Sequence, residues 1–243
     1  MQKQFAKYII VIIVLVFGYT GLVASATQIS NLSLRLLNDR GRVATLTGEV
    51  LATESEMPLA HGTVSIQGQQ VPIENGHFTI SDLGVGEQRI QIDGPFRTSY
   101  DSMIRIYAED NQVTISVDSY VPQDEIDMLA RITRAEAEGE SATGRTAVAA
   151  SVLNRVLSLR YPSSVREVVY QRISGRYQYS PVADGRIRLA PRVSDYEAAY
   201  SALAGNDPSL GATGFFNPAK TRDRWVRSNP VTTVIGGHRF FSY

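Results

Sequence analysis

The sequence predicts an α+β, multidomain chain with an N-terminal signal or anchor helix, a small all-β sandwich and a C-terminal, mainly α domain. Three observations carry that expectation. An apolar run follows two lysines at the N-terminus, a middle block alternates apolar and polar residues at period two, and the last block repeats its apolar residues at helical spacing.

Lys3 and Lys7 precede the apolar run from Tyr8 to Leu22, and small residues follow at Ala24 and Ala26. A basic head, an apolar stretch and a small-x-small site form the pattern of a secretory signal. With its flanks the run reaches about the length of a spanning helix, so residues 1–26 are either a cleaved signal or a retained membrane anchor with a cytoplasmic N-terminus. Both readings export the rest of the chain to the cell envelope. Residues 27–42 are polar with scattered leucines and read as a linker.

Residues 43–120 form the β block. Val64/Ile66, Phe78/Ile80, Ile90/Ile92, Ile104/Ile106 and Val113/Ile115/Val117 alternate with polar residues. Asn75-Gly76 lies between two such runs and supplies the positive φ values of a tight hairpin turn. Several short strands with regular turns predict the sandwich.

Residues 122–243 form the helical block. Ile126, Leu129, Ala130 and Thr133 share one helical face, with Asp124 and Glu125 near the helix N-terminus. A second helix is expected over about 142–159, striped by Val148, Ala149, Val152, Leu153 and Val156, before Pro162. Shorter helices are expected over 163–171 and 194–204, the latter ending at Gly205. Loops rich in Gly, Pro, Asn and Arg join them.

The 243 residues carry a formal net charge of zero and no cysteine. The charge gives no signature of nucleic-acid binding. The missing cysteine excludes disulfides, thiolate nucleophiles and Cys-ligated metals. No His/Asp/Glu group has metal-ligand spacing, so neither a metal nor another cofactor is expected.

Chemistry is expected at Arg134-Ala135-Glu136-Ala137-Glu138-Gly139-Glu140. Residues i and i+2 do not share a helix face, so at most one of Glu136 and Glu138 turns toward a neighbouring helix. Glu136 extends the apolar stripe three residues after Thr133, and Glu138 is expected in solvent. Glu140 reaches Glu136 at i+4 spacing only if the helix passes Gly139, which argues against that meeting. A glutamate at the rim of an apolar face has a raised pKa and can donate a proton to a glycosidic oxygen.

The wider sequence adds a resemblance. Residues 129–155, LARITRAEAEGESATGRTAVAASVLNR, resemble the opening motif of the SleB/CwlJ-like cell-wall hydrolases, a family best known from spore-cortex lysis. Further matches follow in order: Tyr161-Pro162, Val168 to Gln171, Gln178-Tyr179-Ser180, Asp184-Gly185, Ala202 to Gly205, Asp207-Pro208, Gly211-Ala212, Phe215 to Pro218, Trp225 and Ile235 to Phe241. The resemblance implies a lysozyme-like fold and cleavage of peptidoglycan glycan strands between N-acetylmuramic acid and N-acetylglucosamine. It also implies Glu136 as the catalytic acid/base of a lytic transglycosylase. That chemistry needs one protein carboxyl, because the muramic 6-hydroxyl rather than water completes the reaction. Asp184 is the second carboxylate that a muramidase would require, although Asp-Gly is also an ordinary turn.

Gln178, Tyr179 and Ser180 are assigned to the sugar groove, together with Phe216, Asn217, Trp225 and His238, while Phe215 is assigned to the core. Tyr179 stands where the family commonly has Phe. The β block resembles carboxypeptidase-regulatory-like modules, on Thr47 to Val50, Pro58 to Ala60, Thr63 to Ile66, Gly76 to Ile80 and Asp82 to Gly86. Such modules are non-catalytic spacers or binding units. A β-rich partner, in place of the helical wall-binding repeat of the best-known spore enzyme, argues against cortex specificity. Two further functions compete with the transglycosylase: a muramidase cutting the same bond, and a non-catalytic protein that binds the wall.

Overall fold

The computed structural model describes residues 42–243. The expected signal or anchor (1–26) and nearly all of the linker (27–42) lie outside them. Among the described residues no helix is long and apolar enough to cross a membrane.

Seven strands come first: β1 (Val43–Ala52), β2 (His61–Ile66), β3 (Gln69–Glu74), β4 (His77–Gly84), β5 (Gly86–Asp93), β6 (Tyr100–Ile106) and β7 (Asn111–Val117). They are hydrogen-bonded in the single order β6-β5-β2-β3-β4-β1-β7. All neighbours are antiparallel except β1 and β7, which run parallel. The hydrogen bonding therefore gives one continuous order, where the sequence led us to expect a sandwich of two sheets. The joint between β3 and β4 is a single residue pair, Glu74–His77. Asn75 and Gly76 turn there with φ of 50° and 85°, and away from the turn the Gln69 side chain still donates to the Ser81 carbonyl at 3.2 Å. Strand residues from both sides of this joint share one core, including Leu46, Ile66, Ile73, Ile80, Ile92 and Val117.

Helix α1 (Gln123–Ala137) opens the second block behind Pro122 and buries Ile126, Leu129, Ala130, Ile132 and Thr133. Helix α2 (Ala142–Leu157) is capped by Ser141, whose hydroxyl accepts from the Gly144 N–H at 3.2 Å. Its small residues bury Ala147, Val148, Ala149, Ala150 and Val152 on all sides, which makes it the central helix. It stops at Leu157, two residues short of expectation, because Ser158 turns to extended backbone.

Helix α3 (Val165–Tyr170), a hairpin of β8 (Arg172–Ile173) and β9 (Arg176–Tyr177), helix α4 (Ser180–Asp184) and a 3-10 turn (Arg186–Arg188) follow. Helix α5 (Val193–Leu203) packs on α1 and α2, and the chain leaves it through Gly205 at φ 95°. The C-terminus holds β10 (Gly214–Phe216), helix α6 (Arg224–Ser228), β11 (Val231–Ile235) and β12 (His238–Phe241). The three strands form a second sheet, ordered β10-β12-β11, that periodicity had not shown. Strands of three to five residues are too short to display a period.

The two blocks touch directly. Phe96, from the loop after β5, is buried in the helical core, and the Ala60 N–H donates to the Ala204 carbonyl at 2.7 Å.

Candidate active site

Glu136 lies in the last turn of α1, partly accessible at its edge. Burial is the main cause that pushes its carboxyl from the ordinary 4.5 up to about 7. Arg186 and Lys220 pull the value down, and Asp184 pushes it up. These three groups act on the Glu136 carboxyl, but burial outweighs them. Exposed Glu138 is the solvated glutamate expected, bridged to Arg192 and 3.8 Å from Arg134.

Arg186 ties this region together. Its Nη1 donates to the Ala135 carbonyl at 2.7 Å, beside the C-terminal end of α1 where helix carbonyls lack partners. Its Nη2 lies 2.9 Å from Asp184 Oδ2, and its Nε donates to the same oxygen at 3.0 Å. That pairing holds the Asp184 carboxyl below its usual range. One carboxyl of the pair is thus ready to be protonated near neutrality, while the other stays ionised.

Chain reversal after Gly139 sends Glu140 elsewhere. Its carboxylate accepts from the Gly237 N–H, with Oε1 at 3.3 Å and Oε2 at 3.2 Å. Oε1 also lies 3.4 Å from His238 Nδ1, too poorly aligned for a formed hydrogen bond. Burial is the first cause lowering the His238 pKa, opposed by Glu140 and aided by Lys220, so His238 is neutral near pH ~7. Lys220 acts on both His238 and Glu136, and the Gly237–Glu140 hydrogen bonds hold the β11–β12 turn against the segment that follows α1. Gly236 is required here: it has φ of 55°, and a Cβ would sit 1.9 Å from Glu140 Oε2.

The structure brings some of the expected groove residues to Glu136 and leaves others apart. Tyr179 is buried and feels the Glu136 charge, and Ser180 is joined through Arg186 Nη2 at 3.4 Å. Asn217 lies beside the β11–β12 turn, its Nδ2 3.0 Å from the Cβ that Gly237 lacks. Gln178 is exposed and donates its backbone N–H to the Gln171 carbonyl. Trp225 is exposed on α6, edge-on to Tyr243 at 5.1 Å. Phe216 is buried and packs on Phe241, whereas Phe215 is half-buried between Tyr179 at 6.4 Å and His238 at 5.2 Å. Neighbours in a strand point to opposite faces, so Phe215 packs against the helical core, as expected of it, while Phe216 turns to Phe241 and is buried there instead of lining a groove.

Sequence reasoning gave no role to Arg186 or Lys220, and it weighed Glu140 only against Glu136. The repeated glutamate of the E-A-x-G-E motif was the available signal for Glu140. Among the described residues no three His, Asp or Glu side chains group as a metal site.

Residues 139–241 match the family described as Cell Wall Hydrolase. A spore cortex-lytic enzyme of Halalkalibacterium halodurans is 36% identical over 137 residues, 55% of this chain and 40% of that protein. A spore cortex-lytic enzyme of Bacillus subtilis is 36% identical over 116 residues, 48% of this chain and 37% of that protein. The chain thus spans less than half the length of these curated relatives. The solved catalytic domain of the germination-specific lytic transglycosylase SleB from Bacillus anthracis is 34% identical, with a TM-score of 0.47, over 51% of this chain and 98% of that one. The C-terminal region of this chain belongs to the cell wall hydrolase family.

Proposed function

We propose that this chain is an exported peptidoglycan-degrading enzyme that cleaves the glycosidic bond between N-acetylmuramic acid and N-acetylglucosamine as a lytic transglycosylase. The carrying observation is the Glu136 carboxyl, raised to about 7 chiefly by burial. Protonated, it gives its proton to the leaving glycosidic oxygen. Ionised, it then takes the proton of the muramic 6-hydroxyl as that oxygen closes on the anomeric carbon. One group works in both directions because its pKa lies near the working pH. Tyr179, Ser180, Asn217 and His238 line the groove in this reading. Residues 122–243 form the catalytic domain, residues 43–120 the accessory module, and residues 1–26 a signal or membrane anchor.

Asp184 supports a second reading. Arg186 holds it ionised close enough to act on Glu136, the arrangement a muramidase needs to activate water. Purified protein digesting peptidoglycan, with products weighed by mass spectrometry, separates the two. The transglycosylase leaves 1,6-anhydro ends and the muramidase hydrated reducing ends. Products cut only in the peptides would reject both. Wall binding without cleavage by the parent and by Glu136→Gln alike would leave a non-catalytic wall protein.

A further inference from the structure

Behind Tyr179, on the side of the helical core, α2 places a cation without a counter-charge. Arg155 is 7% exposed. Its guanidinium carbon lies 5.1 Å from the ring centres of both Tyr161 and Tyr179, and its Nε donates to the Thr213 carbonyl. Among the described residues no carboxylate pairs with it. The aromatic faces attract the cation but do not accept its in-plane N–H groups. Arg155 Nη1, Tyr161 Oη, Tyr179 Oη and Thr213 Oγ1 are all buried without a hydrogen-bond partner. Four orphaned polar atoms thus belong to the guanidinium and the three residues that touch it, whereas buried polar groups are nearly always satisfied.

The nearby phenols cannot supply the missing charge. Burial pushes the Tyr179 phenol up, and Tyr243, next to Tyr161, is pushed up to about 12, so both are neutral near pH ~7. Tyr161 lies edge-on to Tyr243 at 6.1 Å and helps to raise the Tyr243 pKa, yet no well-formed hydrogen bond satisfies the Tyr161 hydroxyl. The C-terminal end of α2 carries only a partial negative charge, about half an elementary charge. A water would satisfy the donors and leave the buried cation uncompensated, which is the costlier defect.

We infer that Arg155, Tyr161, Tyr179 and Thr213 form an internal binding site for a small monovalent anion such as chloride. The anion accepts from Arg155 Nη1 and the hydroxyl groups, neutralises the guanidinium, and fixes the back of Tyr179. This site does not depend on which bond the enzyme cuts.

Two measurements on the whole protein test it. In thermal unfolding at constant ionic strength, replacing gluconate by chloride should raise Tm along a saturable curve, by about 3–6 °C at ten times the Kd. Thr213→Val, which keeps the charge and removes one donor, should move that curve to higher chloride. In crystals grown from bromide, an anomalous peak should lie within hydrogen-bond distance of Arg155 Nη1. Equal Tm in the two salts, or ordered water without anomalous signal at that position, would overturn the site.

Discussion

Arg97 Nη2 donates to the Leu203 carbonyl at 2.8 Å, joining the β block to the last residue of α5. The same side chain is 1% exposed and grips Glu54 through both nitrogens at 2.7 Å. An arginine buried this deeply between two blocks holds them in one relative orientation. The exposed pair of Arg89 and Asp101 has no such role. Arg97→Met should therefore cost about 3–5 kcal/mol, while Arg89→Gln costs under about 1 kcal/mol. Urea unfolding of both variants checks this. Equal losses would mean that Arg97 does not weld the blocks.

The pH profile follows from Glu136. The acid form is populated below about 7, so kcat/KM on peptidoglycan should fall about tenfold per unit above that value. Glu136→Gln should lower turnover by about a hundredfold or more and remove this alkaline limb. Turbidity loss of a wall suspension, followed across pH, reads both effects.

The same carboxyl destabilises the fold. Its folded pKa is raised from 4.5 to about 7, so the folded state binds the proton more tightly than the unfolded chain. Stability from Glu136 is then fully present below about 4.5 and lost as pH rises through about 7. The loss is on the order of 3 kcal/mol. Glu136→Gln should raise Tm at pH ~8 and change it little at pH ~4. A variant equally stabilised at both would show that the gain is unrelated to ionisation.

Arg186 should be felt in both activity and its pH dependence. Arg186→Met removes a positive charge that lowers the Glu136 pKa and frees Asp184, which raises it. The alkaline limb of activity should move to higher pH. Turnover should also fall, because the Ala135 carbonyl loses its donor at the end of α1. An unmoved limb would show that Arg186 supports structure without setting the charge at Glu136.

Much of this was legible in the chain. Alternation at period two and Asn75-Gly76 located β3 and β4, and the apolar stripes of α1 and α2 located the helical core. Helical geometry favoured Glu136 over Glu138 because residues two apart face different ways. The C-terminal strands escaped notice because they are too short to show a period. Which of Phe215 and Phe216 faces Tyr179 depended on the pairing of β10 with β12.

The sequence alone determined a β block followed by a helical block, the family resemblance and the choice of Glu136 among three neighbouring glutamates. These depend on local periodicity and on residues close together in the chain. Tertiary structure decided what surrounds that glutamate. Arg186 lies 50 residues beyond it and Lys220 84 residues beyond it, and both act on its carboxyl. Glu140, only four residues away, turns instead to Gly237 and His238. A pKa is the sum of burial and nearby charges, and both are fixed only when distant segments pack.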